Sequence, residues 1–136
     1  SRFEEMDVLV MAAAVADYRP VTVASDKIKK KDGDLSIPVE RTADILGTIG
    51  PRKTKQFLCG FSMETRDMVE NSAAKLKKKN LDMVVANNLK VSGAGFGVDT
   101  NVVTFITPDG TRELPLMSKA DVADAILDEI LKRRGH

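Results

Sequence analysis

Short, continuous apolar runs alternate along this chain with stretches whose apolar residues recur every three or four positions. That alternation predicts strands covered on both faces by helices. The first run, Val8-Leu9-Val10-Met11, ends in the small residues Ala12, Ala13 and Ala14, which would let a ligand approach the backbone closely. Ser1 to Met6 reads as the tail of a helix running into a strand over Asp7 to Met11, so the chain is expected to begin within a fold. Thr42 is expected to cap a short helix through Ile49, with Asp44 in its first turn and Gly50-Pro51 as its stop. Phe57 to Phe61 predicts a second buried strand, and a helix follows from Thr65 or Arg66 to Lys79 with Met68, Val69, Ala73 and Leu76 as its apolar stripe. Leu81 to Ala86 predicts a third strand, ended by Asn87-Asn88 at the same edge of the sheet. Asn101 to Thr107 and Arg112 to Leu116 predict a hairpin about Pro108-Asp109-Gly110. The last helix starts at Ser118, where Asp121 completes an approximate capping box and Val122, Ile126 and Ile130 face the core. This order of elements is that of one α/β domain over residues 1–136, a Rossmann-like, mostly parallel sheet flanked by helices.

Two polar segments interrupt the pattern. Lys27 to Lys30 and Leu35 to Val39 read as extended segments joined by the turn Lys31-Asp32-Gly33-Asp34, a projecting hairpin able to exchange contacts with a partner subunit. The loop Val91 to Asp99 carries Gly93, Gly95 and Gly97, but not between a strand and a helix, so it reads as a flexible loop rather than a phosphate cradle.

Composition narrows the chemistry. With 21 Lys and Arg against 20 Asp and Glu, and only 4% aromatic residues, wholesale nucleic-acid binding is disfavoured. A hydrophobic fraction of 43% without a run of membrane-spanning length fits a soluble, cytoplasmic protein. Cys59 is the only cysteine and lies in the apolar run Phe57 to Phe61, as a buried small hydrophobe would. His136 is the only histidine and the last residue, which removes the usual neutral-pH general base and with it histidine-dependent hydrolysis. Positive charge is clustered in Lys27 to Lys31 and in Lys75 to Lys79. Such clusters suit a small polyanion such as a nucleoside triphosphate, and a solvated helix face is an equally good account of the second. Asp17 stands where the first strand ends, the edge at which open α/β sheets bind ligands. There it would reach ribose hydroxyls or a metal ion, or else serve as turn chemistry before Pro20.

Taken in order, Ala13-Ala14-Val15-Ala16-Asp17-Tyr18-Arg19-Pro20, Lys27-Ile28-Lys29-Lys30, Asp44-Ile45-Leu46, Gly60-Phe61 with Glu64-Thr65, Lys75 with Lys79-Asn80-Leu81-Asp82, Ala86-Asn87 and Phe96 to Asn101 resemble phosphopantothenoylcysteine synthetase. This is the ligase half of a bacterial bifunctional coenzyme A biosynthesis protein, and the similarity runs over nearly the whole chain. The resemblance implies a two-step ligation, in which CTP and 4'-phosphopantothenate give an acyl-cytidylate and pyrophosphate, and cysteine then displaces CMP. Magnesium is implied with the nucleotide, a homodimer as the assembly, and a flavin-dependent decarboxylase domain as a possible fusion partner upstream. Carried over residue by residue, Met11, Ala12 and Ala13 would meet the nucleotide through backbone groups, and Asp17 its sugar or base. Lys27 would close over the triphosphate and favour the charge developing during activation, as the catalytic residue. Ala43, Asp44, Ile45 and Leu46 would offer helix-start amides to phosphates, with Ala43 where many members have proline. Phe61 would lie against the nucleotide, and Lys75 and Lys79 would complete a cationic wall. A glycine-rich turn and an asparagine that members carry ahead of this region have no counterpart here, so the chain resembles the carboxyl-terminal part of the synthetase. The other reading is a CTP-binding and dimerisation fragment without complete catalysis.

Overall fold

The computed structural model describes residues 2–29, 33–64, 67–88 and 97–135. After a 3-10 turn at Phe3–Glu5, the chain forms β1 (Val8–Met11), β2 (Tyr18–Pro20), β3 (Val39–Arg41), α1 (Ile45–Ile49) and β4 (Phe57–Glu64). It continues through α2 (Met68–Lys78), β5 (Met83–Asn88), β6 (Thr100–Asn101), β7 (Val103–Thr107), β8 (Gly110–Glu113), β9 (Met117–Ser118) and α3 (Lys119–Arg134). The main sheet has the order β1-β4-β5-β7-β8. Its first three strands are parallel, and β7 and β8 add antiparallel to them. The α/β fold read from the sequence is therefore observed.

Both faces of the sheet are covered, which is why its strands read as unbroken apolar runs. Phe57, Cys59, Met83, Val85, Val103 and Phe105 pack beneath Val122, Ile126 and Ile130 of α3. On the opposite face Leu58, Val84, Ala86 and Ile106 meet Phe3, Leu46 and Ile49 of α1, and Leu76 of α2. The α3 start is as expected: the Asp121 amide donates to Ser118 Oγ at 3.0 Å, and the Ser118 hydroxyl donates to the Asp121 carboxylate at 2.7 Å. A polar pair hidden under α2, Ser62 Oγ and Ser72 Oγ at 2.7 Å, has no precedent in the hydrophobic pattern.

Several expectations change. The projecting arm pairs Tyr18–Pro20 with Val39–Arg41, and 27–29 belong to no strand; 30–32, with half of the expected turn, lie outside the described residues. This ladder puts Arg19 opposite Glu40 in an ion pair at 2.8 Å, whereas the lysine segment would face no carboxylate in Leu35 to Val39. Asp44, not Thr42, caps α1. Thr42 turns back instead, its amide donating to the Asp17 carbonyl at 2.9 Å and its hydroxyl to the Ala16 carbonyl. Strands β4 and β5 run further than expected, taking in Glu64 and Asn87-Asn88 through their register with each other. Helix α2 starts at Met68, with Val69 exposed rather than in its apolar stripe. Residues 65, 66 and 89–96, including two of the three loop glycines, lie outside the described residues.

One close approach ties α1 to the end of α2. Gly50 continues from α1 into a short 3-10 turn rather than stopping the chain, and a Cβ built on it would lie 1.9 Å from the Lys79 carbonyl oxygen. The Asn80 side-chain amide, on a residue with φ of 53°, donates to the Gly50 carbonyl at 2.9 Å.

Candidate functional site

A cavity of about 530 Å³ opens where β1 ends. Met11 and Ala13 form its floor, and a tight turn in which the Val15 amide donates to the Ala13 carbonyl brings Asp17 to its rim. Arg41, Thr42 and Ala43 form the next stretch of wall, followed by Asp44, Ile45 and Leu46 at the start of α1. Phe61, within β4 just past the level at which β1 ends, and Lys79, from the end of α2, complete it. Segments distant in sequence thus converge at the carboxyl edge of a parallel sheet, where ligands of such folds bind.

Asp44 is the electrostatic hinge of this wall. Its Oδ1 accepts the Gly47 amide at 2.9 Å and the Lys79 ammonium at 3.1 Å. The Gly47 amide above all holds its carboxyl below the ordinary carboxylate value; partial burial opposes it, and the hydrogen bond and charge of Lys79 add to the lowering. The cap occupies one amide of the helix start, leaving those of Ile45 and Leu46 without an intrahelical acceptor. Phe61 is 37% exposed, so its ring is accessible to a planar ligand.

Most expected residues meet here, and three do not. Ala12 lies between two residues of the floor without lining it, and Lys75, one turn before Lys79 on α2, is half-buried outside it. Lys27 is exposed on the arm beyond β2 and is likewise not part of the wall. Val15, Ala16, Tyr18, Arg41 and Thr42 also line the cavity, although the sequence assigns none of them a role at the site. Tyr18 and Arg41 sit in exposed strands whose pattern carries no signal, and only their cross-strand pairing brings them to the cavity. Cys59 is buried, and burial pushes its thiol up to about 12, so it is no nucleophile. Among the described residues no group of three His, Cys, Asp or Glu side chains could hold a metal. Of the two carboxylates in the wall Asp44 is engaged by Lys79, which leaves Asp17 as the residue that could hold a metal ion.

Residues 1–133 match the family model of the DNA/pantothenate metabolism flavoprotein C-terminal domain. The chain belongs to this family. Over 131 residues it is 49% identical to the coenzyme A biosynthesis bifunctional protein CoaBC of Bacillus subtilis, covering 96% of this chain and 32% of that protein. A crystal structure of the C-terminal domain of CoaBC superposes with a TM-score of 0.73 at 40% identity, covering 95% of this chain and 55% of that one. A variant of Cab2 in complex with phosphopantothenate-cysteine shares the fold, with a TM-score of 0.69 at 19% identity over 93% of this chain and 44% of that one. This member of the flavoprotein C-terminal domain family thus spans about a third of its curated relative and about half of the solved domain. Among its described residues no helix is long and apolar enough to cross a membrane.

Proposed function

We propose that this chain works as a phosphopantothenate–cysteine ligase, using CTP to activate 4'-phosphopantothenate. The observation that carries the reading is the cavity itself, which brings Met11, Ala13, Asp17, the start of α1, Phe61 and Lys79 to one sheet edge. Kinship with bifunctional CoaBC proteins supports it.

In the first step the substrate carboxylate attacks the α-phosphorus of CTP, the bond to the bridging oxygen breaks, and pyrophosphate leaves. In the second, the cysteine amine attacks the acyl carbonyl, loses a proton, and CMP departs. The first nucleophile is already ionised at neutral pH, so the lack of an internal histidine is no obstacle. Negative charge builds on phosphate oxygens, and positioned cations and helix-start amides stabilise it. Asp17 would contact the sugar or base and Phe61 would stack on the base. The amides at Ala43 to Leu46 would meet the phosphates, and Lys27 would swing in from the arm during activation. Magnesium would neutralise the phosphates and orient them for in-line attack. The exposed apolar residues of the arm, among them Tyr18, Val21, Val23, Ile37 and Val39, support a homodimer in which a second copy covers them.

Incubating the chain with CTP, magnesium and 4'-phosphopantothenate, followed by a pyrophosphate assay, tests the reading. Pyrophosphate release is expected. Titration calorimetry with CTP and ATP separates the alternative, a CTP-binding and dimerisation fragment: selective CTP binding without release favours the fragment. Equal or tighter ATP binding refutes the cytidine assignment.

A further inference from the structure

The cavity wall carries two cations, Arg41 and Lys79, and their surroundings differ. Lys79 is committed. Its ammonium donates to Asp44 with only a quarter of its side chain exposed, and a ligand phosphate would have to share it with that carboxylate. Arg41 has no carboxylate partner among the described residues. The adjacent ladder position is already satisfied by the pair of Arg19 and Glu40, which leaves Arg41 outside it.

The backbone around Arg41 is also the best tied part of the arm. Tyr18 lies directly opposite it, and Thr42, the next residue, bonds to both the Asp17 and Ala16 carbonyls. The turn that ends β1 and the strand bearing Arg41 are thereby clamped together, and both line the cavity. The wall's ionised groups are Asp17 and Asp44 against Arg41 and Lys79, a formally neutral set. A polyanion therefore gains most from the cation that no carboxylate already neutralises.

We propose that Arg41 is the residue of the cavity wall that binds the phosphate oxygens of a polyphosphate ligand. Its planar guanidinium presents paired donors matched to two oxygens of one phosphate, a geometry that a lysine ammonium cannot offer. The inference rests on the cavity being a nucleotide site, and it adds a residue absent from the set of Lys27, Lys75 and Lys79.

The test is calorimetric titration of the chain with inorganic tripolyphosphate and, separately, with CTP, for the wild type, Arg41→Gln, Arg41→Lys and Arg19→Gln. Arg41→Gln is expected to weaken both ligands roughly ten- to a hundredfold, as loss of a charged hydrogen bond does, with Arg41→Lys in between. Arg19→Gln removes the same charge from the neighbouring ladder position and is expected to change affinity by less than about twofold, because exposed charges off the site are screened. Thermal melting checks that each variant stays folded, and an exposed strand position predicts that all do. Unchanged affinity in Arg41→Gln, or equal losses in Arg41→Gln and Arg19→Gln, overturns the proposal. Arg41-dependent tripolyphosphate binding without binding of CTP upholds Arg41 and refutes the cytidine reading. A wild type that binds neither ligand refutes both.

Discussion

Every residue of β2 and β3 is exposed, whereas Leu58, Cys59, Met83 and Val85, at the centre of the main sheet, have no solvent-accessible surface. Between them, the segment from Ala12 to Asp44 and the slab of β4, β5 and β7 divide the work of the molecule. The slab is held by apolar contact on two faces. The segment is held by the β2–β3 ladder and a handful of further bonds within it, among them those from Val21 and Thr42. Stability is thus concentrated where no ligand reaches, and the cavity is lined largely from the part that contributes least to it. This division is how a sheet scaffold carries function on the loops at its carboxyl edge.

The division can be broken first from the slab side. Leu58→Ala removes a side chain packed between α1, Leu76 and the sheet, and should cost about 2.7–5 kcal/mol in urea unfolding. The CTP affinity of the molecules that remain folded should not change. A cost below about 1 kcal/mol would place the stability elsewhere.

On the other side, Lys27→Gln should leave the melting temperature unchanged, since the residue is exposed on the arm. In a ligase-competent protein carrying this chain, it should slow acyl-cytidylate formation roughly a hundred- to a thousandfold in single-turnover pyrophosphate release. CTP affinity should hardly move, because the contact is made as charge develops. A matching loss of affinity would make Lys27 a binding residue only.

A smaller effect sharpens the boundary between the two regions, where α2 leaves the slab and Lys79 reaches the cavity. Lys79→Ala leaves Asp44 unneutralised beside the ligand and should weaken CTP binding about tenfold or more by calorimetry. Lys77→Ala, on the exposed side of the same helix end, should not. Equal behaviour would mark the lysine cluster as solvated surface.

The smallest effect concerns the cap. Asp44→Ala should destabilise the fold by about 0.5–2 kcal/mol, and Asp44→Asn by only a few tenths, because asparagine caps as well. The folded-state carboxyl of Asp44 lies below its unfolded value, so its contribution is complete above the ordinary carboxylate range. It is lost as pH falls through the folded value. The stability difference between wild type and Asp44→Asn, followed by melting, should therefore shrink on acidification.

The sequence was legible wherever burial imposed a pattern. Val8 to Met11, Phe57 to Phe61 and the face of Val122, Ile126 and Ile130 could be read because two covered faces or one helical stripe dictate residue types. Asp17 is legible as the carboxylate at the end of the first strand and Lys79 as part of a basic cluster, Phe61 only through a family resemblance, and their meeting at one cavity follows from the parallel sheet order. The arm carries no such pattern because both of its strands are exposed, so the good turn sequence at Lys31 to Asp34 points to a different hairpin from the ladder, which has no periodic signature. Thr42 and Asp44 are both good capping residues two positions apart, and the choice between them was made by the carbonyls of Ala16 and Asp17, which claim Thr42. Ser62 and Ser72 satisfy each other in the interior, a match that no single position reveals.

Gly50 is not part of the cavity wall. Yet its missing side chain is the space in which the Lys79 carbonyl rests, so the reach of that lysine is gauged from below by an atom that is not there. Any larger residue at this position would jack the end of α2 away from α1 and pull Lys79 out of range of Asp44. Screened by binding alone, such a substitution would pass for a lesion of the site, although the injury lies in the spacing between two helices.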